Sequence, residues 1–246
     1  MTTITWLWPV LAAPFIGSFL GVLVSRLPAQ RPVAWSRSAC EGCGHVLSPL
    51  DLVPIASWLA LRGRCRYCGA LIGWLAPATE LGAIVIALWA ALTVDGSMLW
   101  ASCALGWTLL ALALIDWRDG ILPDVLTLPL LALGLVVTYF SGADLLDSAL
   151  GAALGFLLFA AIRWLYQRVR GREGLGLGDA KLLAAAGAWV GWDSLPSIVL
   201  IAAVLGLAAA LVMAWRGRRI TGDLGIAFGP ALCAGLWLVW LYGPLS

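Results

Sequence analysis

Charge is scarce in this sequence. Only 11% of its 246 residues are Asp, Glu, Lys or Arg, against about 25% in an ordinary soluble domain. Fifteen basic and thirteen acidic residues cannot coat a globule of this length, so a soluble enzyme is excluded. Disorder is excluded too, because disordered chains are polar and poor in aromatics, whereas this one is 62% hydrophobic with 15 Trp. The alternating apolar–polar pattern of a membrane barrel is absent. No basic residue precedes the first apolar run, and its far end, "GSFLGVLVSRLP", holds no small-residue cleavage site. That run reads as a retained helix, not a cleaved signal peptide. There is no low-complexity tract and no clear internal repeat. Nucleic acid is not an expected partner.

What is present is a series of long apolar runs. A membrane-spanning helix needs about 20 largely apolar residues. Candidates lie at 6–23, 75–94, 98–115, 121–140, 145–166, 180–192, 195–215 and 224–241. They predict an all-α polytopic bundle of about eight transmembrane helices in a lipid bilayer. The expected division is a first helix at 1–27, a small insertion at 28–74 and a membrane domain at 75–246. All fifteen basic residues fall in 24–74, 116–120, 163–181 and 216–223, while the other loops carry only Asp95, Asp144, Asp147 and Asp193. With eight crossings every basic loop lies on one side. The positive-inside rule makes that side cytoplasmic, with both termini outside. The run 180–192 is short, so its cytoplasmic end is expected to sit below the membrane surface.

The insertion holds four of the six cysteines, as Cys40-Glu-Gly-Cys43 and Cys65-Arg-Tyr-Cys68. Two such hairpins can present four thiolates to one ion, the pattern of a structural zinc site with no open position. Nearby arginines would help keep the thiolates ionised. Disulfides or a redox pair are the competing readings, and a reducing cytoplasm disfavours the disulfides. His45 reads as a solvated loop residue. Cys103 and Cys233 read as small core residues.

Carboxylates at membrane depth are functional candidates. Asp116, Asp119 and Asp124 share the segment "IDWRDGILPDVLTLP", and Asp179 follows Gly176 and Gly178 in "EGLGLGDAKLL". Asp116 is expected to end the third span and Asp179 to open the sixth, at one depth. Two close carboxyls share a proton; the ionised one can activate water while the protonated one polarises a carbonyl. The glycines would let a substrate backbone come close. Asp124 also fits a helix start, Asp119 a turn, and Asp179 a cap paired with Lys181 or Arg172. Glu80 and Glu173 are further acids at the membrane boundary. Glu80 could hold an amine or pair with an arginine of the insertion. Glu41 and Asp51 could attract a basic peptide.

Taken together, these stretches closely resemble the type IV prepilin peptidases (prepilin leader peptidase/N-methyltransferases). "GSFLGVLVSRLP", "SWLALRGRCRYCG", "TEL" at 79–81, "IDWRDGILPDVLTLP", "EGLGLGDAKLL" and "IAFGP" at 226–230 run in family order over nearly the whole chain. The resemblance implies a bacterial inner-membrane aspartic endopeptidase with Asp116 and Asp179 as its dyad. Asp119, Asp124, Gly176, Gly178, Lys181, Glu173 and Glu80 would support it. The implied substrates are prepilins and type II secretion pseudopilins, cut after a Gly that ends a basic leader. Methylation of the new N-terminus with S-adenosylmethionine is also implied by the cysteine domain. No Gly-x-Gly-x-x-Gly unit accompanies it. A proton-coupled transporter and a non-enzymatic zinc-linked assembly factor are the readings from other classes.

Overall fold

The computed structural model describes residues 6–33, 37–171, 176–216 and 227–245. Arg172, Glu173, Arg218 and Arg219 lie outside the described residues, as do positions 224–226 of the last expected span. Among the described residues the regular structure is helical, with two isolated antiparallel bridges in the insertion. The helices are α1 (Leu7–Arg26), α2 (Ala56–Ala60), α3 (Leu75–Thr93), α4 (Met98–Asp119), α5 (Asp124–Ser141), α6 (Leu145–Arg170), α7 (Leu177–Val190), α8 (Leu195–Trp215) and α9 (Gly229–Tyr242). Each expected apolar run holds one of them, and the one-turn α2 lies in the insertion.

Among the described residues six helices, α1, α3, α4, α5, α6 and α8, are long and apolar enough to cross a membrane. α7 and α9 have 14 residues each, about 21 Å of helix against a hydrocarbon core about 30 Å thick. Burial accounts for α7. Residues 182–189 are buried without a break, as befits a helix apolar on every side. Hydropathy also marked the ends too early, because it follows the bilayer and not the backbone. α4 continues to Asp119 and α6 to Arg170. Asp116 therefore lies inside α4, about one turn before its end.

Contacts divide the chain into two compact units, residues 1–111 and 112–246, with the division inside α4. In the first, α1 packs against α3. Gly17 allows the approach: a Cβ there would lie 2.6 Å from the Thr79 carbonyl oxygen. The Trp107 indole N–H donates to the Ala83 carbonyl at 3.0 Å, tying α4 to α3.

In the second unit α7 packs against α5, α6, α8 and α9. Gly151 and Gly155 lie one turn apart on α6 and meet α7 backbone to backbone. A Cβ at Gly155 would stand 2.6 Å from the Leu183 carbonyl oxygen, and one at Gly187 would run into Gly151. Small residues at this spacing let membrane helices approach closely, where packing rather than hydrophobicity drives association. The Trp189 indole N–H donates to the Leu130 carbonyl at 2.9 Å. The Thr138 hydroxyl bridges Ser148 and the Ala188 carbonyl. These contacts gather the end of α5, the start of α6 and the end of α7. The end of α4 and the starts of α5, α7 and α9 gather at the opposite end, where the carboxylates lie.

Candidate functional site

Asp116 and Asp179 lie 63 positions apart in sequence, on different helices, yet Asp179 lies close enough to feel the charge of Asp116. Both are buried, at 7% and 9% exposure. Asp116 Oδ2 accepts the Gly229 backbone N–H at 3.0 Å. Asp179 Oδ2 accepts the Gly176 N–H at 3.3 Å, so the residue turns back on its own helix start. Its other oxygen, Oδ1, is buried with no hydrogen-bond partner among the described residues. One carboxylate oxygen thus faces the interior with nothing to satisfy it, beside a second carboxyl. That arrangement suits a bound water and a polarised carbonyl.

The capping role expected for Asp179 is present, but its pairing with Lys181 is not. Lys181 Nζ instead meets both Asp124 oxygens, at 2.6 and 2.7 Å, joining α7 to α5. Asp124 opens α5, as its sequence position implied. Asp119 is exposed as the last residue of α4, and Gly120 beyond it turns left-handed at φ +67°. Gly176 and Gly178 have a use the sequence did not reveal. A Cβ at Gly178 would lie 2.9 Å from Leu122 Cβ, and one at Gly176 would lie 3.1 Å from Asp179 Oδ2. Glu173 lies outside the described residues.

In the insertion, the two cysteine hairpins share one conformation. The Cys40 N–H donates to the His45 carbonyl and the Gly44 N–H to the Cys40 carbonyl; Cys65 with Ala70, and Gly69 with Cys65, repeat both bonds. Gly44 and Gly69 take left-handed φ of +70° and +72°, which glycine adopts without strain. All four thiols are free, and their sulfurs lie within 4.8 Å of one another. A tetrahedral site with metal–sulfur bonds of about 2.3 Å sets sulfurs about 3.8 Å apart. Cys40 and Cys68 stand 3.8 Å apart. The four residues fit a metal ion.

The N–H groups of Cys43 and Gly42 hold the Cys40 thiol down at about 7. Backbone groups, not the arginines, supply this. Arg66 bonds Asp51 at 2.8 Å, and Arg64 reaches the Gly69 carbonyl. Asp51, expected to attract a peptide, is instead held within the insertion by Ser48 and Arg66. His45 is exposed and lies against the Tyr67 ring. Cys103 and Cys233 are buried in α4 and α9.

Glu80 is 5% exposed. It accepts the Ile55 N–H at 2.6 Å and a bond from the Ser18 hydroxyl. Those contacts, in place of the expected arginine, tie the insertion to α1 and α3. Ile55 has φ +59°, a strained value for a β-branched residue. Sequence reasoning missed Gly229, Leu122 and Ile55 as partners. Only Gly229 left a signal: Gly-Pro after an apolar residue marks a helix start, and a buried start needs an acceptor.

Residues 103–211 match the type IV leader peptidase family, and residues 11–94 match the bacterial peptidase A24 N-terminal domain. Curated relatives carry the name prepilin leader peptidase/N-methyltransferase. That of Burkholderia pseudomallei (strain 1026b) is 44% identical over 248 residues, covering 89% of this chain and 80% of its own length. That of Pseudomonas aeruginosa PAO1 is 37% identical over 95% of this chain and 89% of its own length. That of Aeromonas hydrophila is 36% identical over 93% and 87%. No solved structure matches the chain.

Proposed function

The chain belongs to the type IV leader peptidase family, and from that premise we propose that Asp116 and Asp179 are its catalytic pair. The enzyme is a multi-pass membrane aspartic peptidase that removes leaders from prepilins and N-methylates the product. The observation that carries the assignment is the buried, unpartnered Asp179 Oδ1 beside the charge of Asp116. One carboxylate takes a proton from water, and the hydroxyl oxygen attacks the scissile carbonyl carbon. The other carboxyl gives its proton to the carbonyl oxygen. Collapse of the tetrahedral intermediate breaks the C–N bond as the departing amine takes the proton that the first carboxyl drew from water; the second carboxyl regains its proton from the hydroxyl that becomes the new carbonyl, with no covalent enzyme intermediate. Burial strengthens each of these interactions relative to water.

The proposed location is the bacterial inner membrane, with the carboxylate end cytoplasmic by the positive-inside rule. The substrates are prepilins and type II secretion pseudopilins. Their basic leaders stay on that side while the following apolar helix enters the bilayer. Cleavage falls after the Gly that ends the leader. Within the proposed division of 1–27, 28–74 and 75–246, the insertion serves the methylation step. Its ion is zinc, held by Cys40, Cys43, Cys65 and Cys68. A four-thiolate zinc supplies folding energy to a segment with little core of its own. The methyl donor is S-adenosylmethionine. The described residues hold no Gly-rich nucleotide loop or parallel sheet, and no residue is assigned to it.

The transporter reading lacks support, since Asp116, Asp119, Asp124 and Asp179 gather at one end of the second unit instead of lining several spans. The test is cleavage of a purified prepilin in detergent, read by mass spectrometry. A product shortened at the Gly junction is expected, and its absence with Asp179→Asn. Wild-type cleavage by Asp179→Asn would remove the assignment.

A further inference from the structure

We infer that Gly229, at the start of α9, is a positioning residue for proteolysis. Its N–H fixes Asp116, and its lack of a side chain leaves that carboxyl its place. This rests on Asp116 being one of the catalytic pair.

A helix start leaves its first N–H groups without partners inside the helix. In α9 the second residue is Pro230, which has no N–H to offer. The Gly229 N–H is buried, so water cannot satisfy it. Asp116 does, across 113 positions of sequence. The bond is therefore shared in purpose: it caps α9, and it holds one oxygen of Asp116 in a fixed direction.

Geometry adds a second, independent constraint. A Cβ on Gly229 would lie 2.7 Å from Asp116 Oδ2, 2.9 Å from Cγ and 3.2 Å from Cβ. Carbon does not approach that closely, so any side chain at 229 drives the carboxyl away. α9 cannot easily retreat to make room. Leu232, Cys233, Leu236 and Trp237 are buried on the same helix, and Gly235 already lies tight against the Ile198 carbonyl of α8. Asp116 must be the group that moves. Cys233, one turn further on, feels the charge of both Asp116 and Asp179, which places this stretch of α9 beside the pair.

The two carboxyls are held in different ways. Asp179 is fixed by its own helix start, at Gly176. Asp116 is fixed from elsewhere in the chain, by the Gly229 N–H at the very start of α9. Reacting groups displaced by about 1 Å can lose about 10²-fold in rate.

The test is steady-state cleavage of a prepilin by the full-length Gly229→Ala protein in detergent. Gly235→Ala serves as the comparison: its Cβ would lie 2.8 Å from the Ile198 carbonyl oxygen, overpacking α9 away from the carboxylates. For Gly229→Ala, kcat should fall between about tenfold and a hundredfold, with KM within twofold of wild type. Methylation of an already mature pilin peptide by the same sample should be unchanged. Gly235→Ala should lower the unfolding temperature but keep kcat per folded molecule. Cleavage by Gly229→Ala within twofold of wild type would overturn the inference. So would an equal loss of kcat in Gly235→Ala, which would make the effect one of helix packing at large. If Asp116→Asn cleaves like wild type, the catalytic assignment itself fails first, and the two failures are told apart.

Discussion

Asp51 shows how a polar residue can look available in sequence and be committed in the fold. Ser48 donates to it through its hydroxyl and its N–H, and Arg66 and Tyr67 reach it from the second cysteine hairpin. The Ser48 hydroxyl, with Arg66 behind it, holds the Asp51 carboxyl below its ordinary value. A depressed carboxyl contributes stability above its unfolded value, near pH 4, and loses it as pH falls through the folded one. Wild type should therefore unfold at a higher temperature than Asp51→Asn near neutral pH. The gap should close as pH falls below about 4, and a constant gap would contradict the account. The chemistry-bearing residues were legible because their types and spacing are unusual in an apolar chain. Their partners were not. Lys181 finds Asp124 and not Asp179, and Asp116 finds a backbone N–H of Gly229. Spacing along the chain does not encode contacts between helices.

At the scale of elements, the membrane helices among the described residues were legible from the apolar runs, since only helices and closed barrels satisfy every backbone group in lipid and the alternation of a barrel is absent. Their ends were less so. Arg170 and Asp119 are helical because the hydrogen-bond ladder continues past the apolar stretch. The role of α7 was only half visible: its shortness was plain, but not that neighbouring helices bury it. This packing gives a sharp expectation. A side chain at Gly187 must push α6 and α7 apart, because it meets the Gly151 backbone. Gly187→Val should destabilise the protein by about 1–3 kcal/mol, the usual cost of overpacking. A thermal unfolding scan in detergent would reveal it, and an unchanged midpoint would count against the interface.

Across the whole molecule, the proposed division gives the two activities separate groups of residues. The cysteine cluster lies between α1 and α3, while the carboxylate pair is built from α4, α7 and α9. Cys40→Ser should release the metal, seen by elemental analysis, and abolish methylation. Prepilin cleavage should survive within about threefold, since a structural four-thiolate site has no open position for chemistry. Equal loss of both activities would join the insertion to the peptidase.

The central claim is that Asp116 and Asp179 act as one unit, and a double variant tests it most directly. Residues that work together are strongly non-additive. Cleavage rates are measured for Asp116→Asn, Asp179→Asn and the variant carrying both. The account predicts that each single change abolishes cleavage and that the double variant is no worse. A single variant that keeps the wild-type rate, or losses that multiply in the double variant, would contradict it.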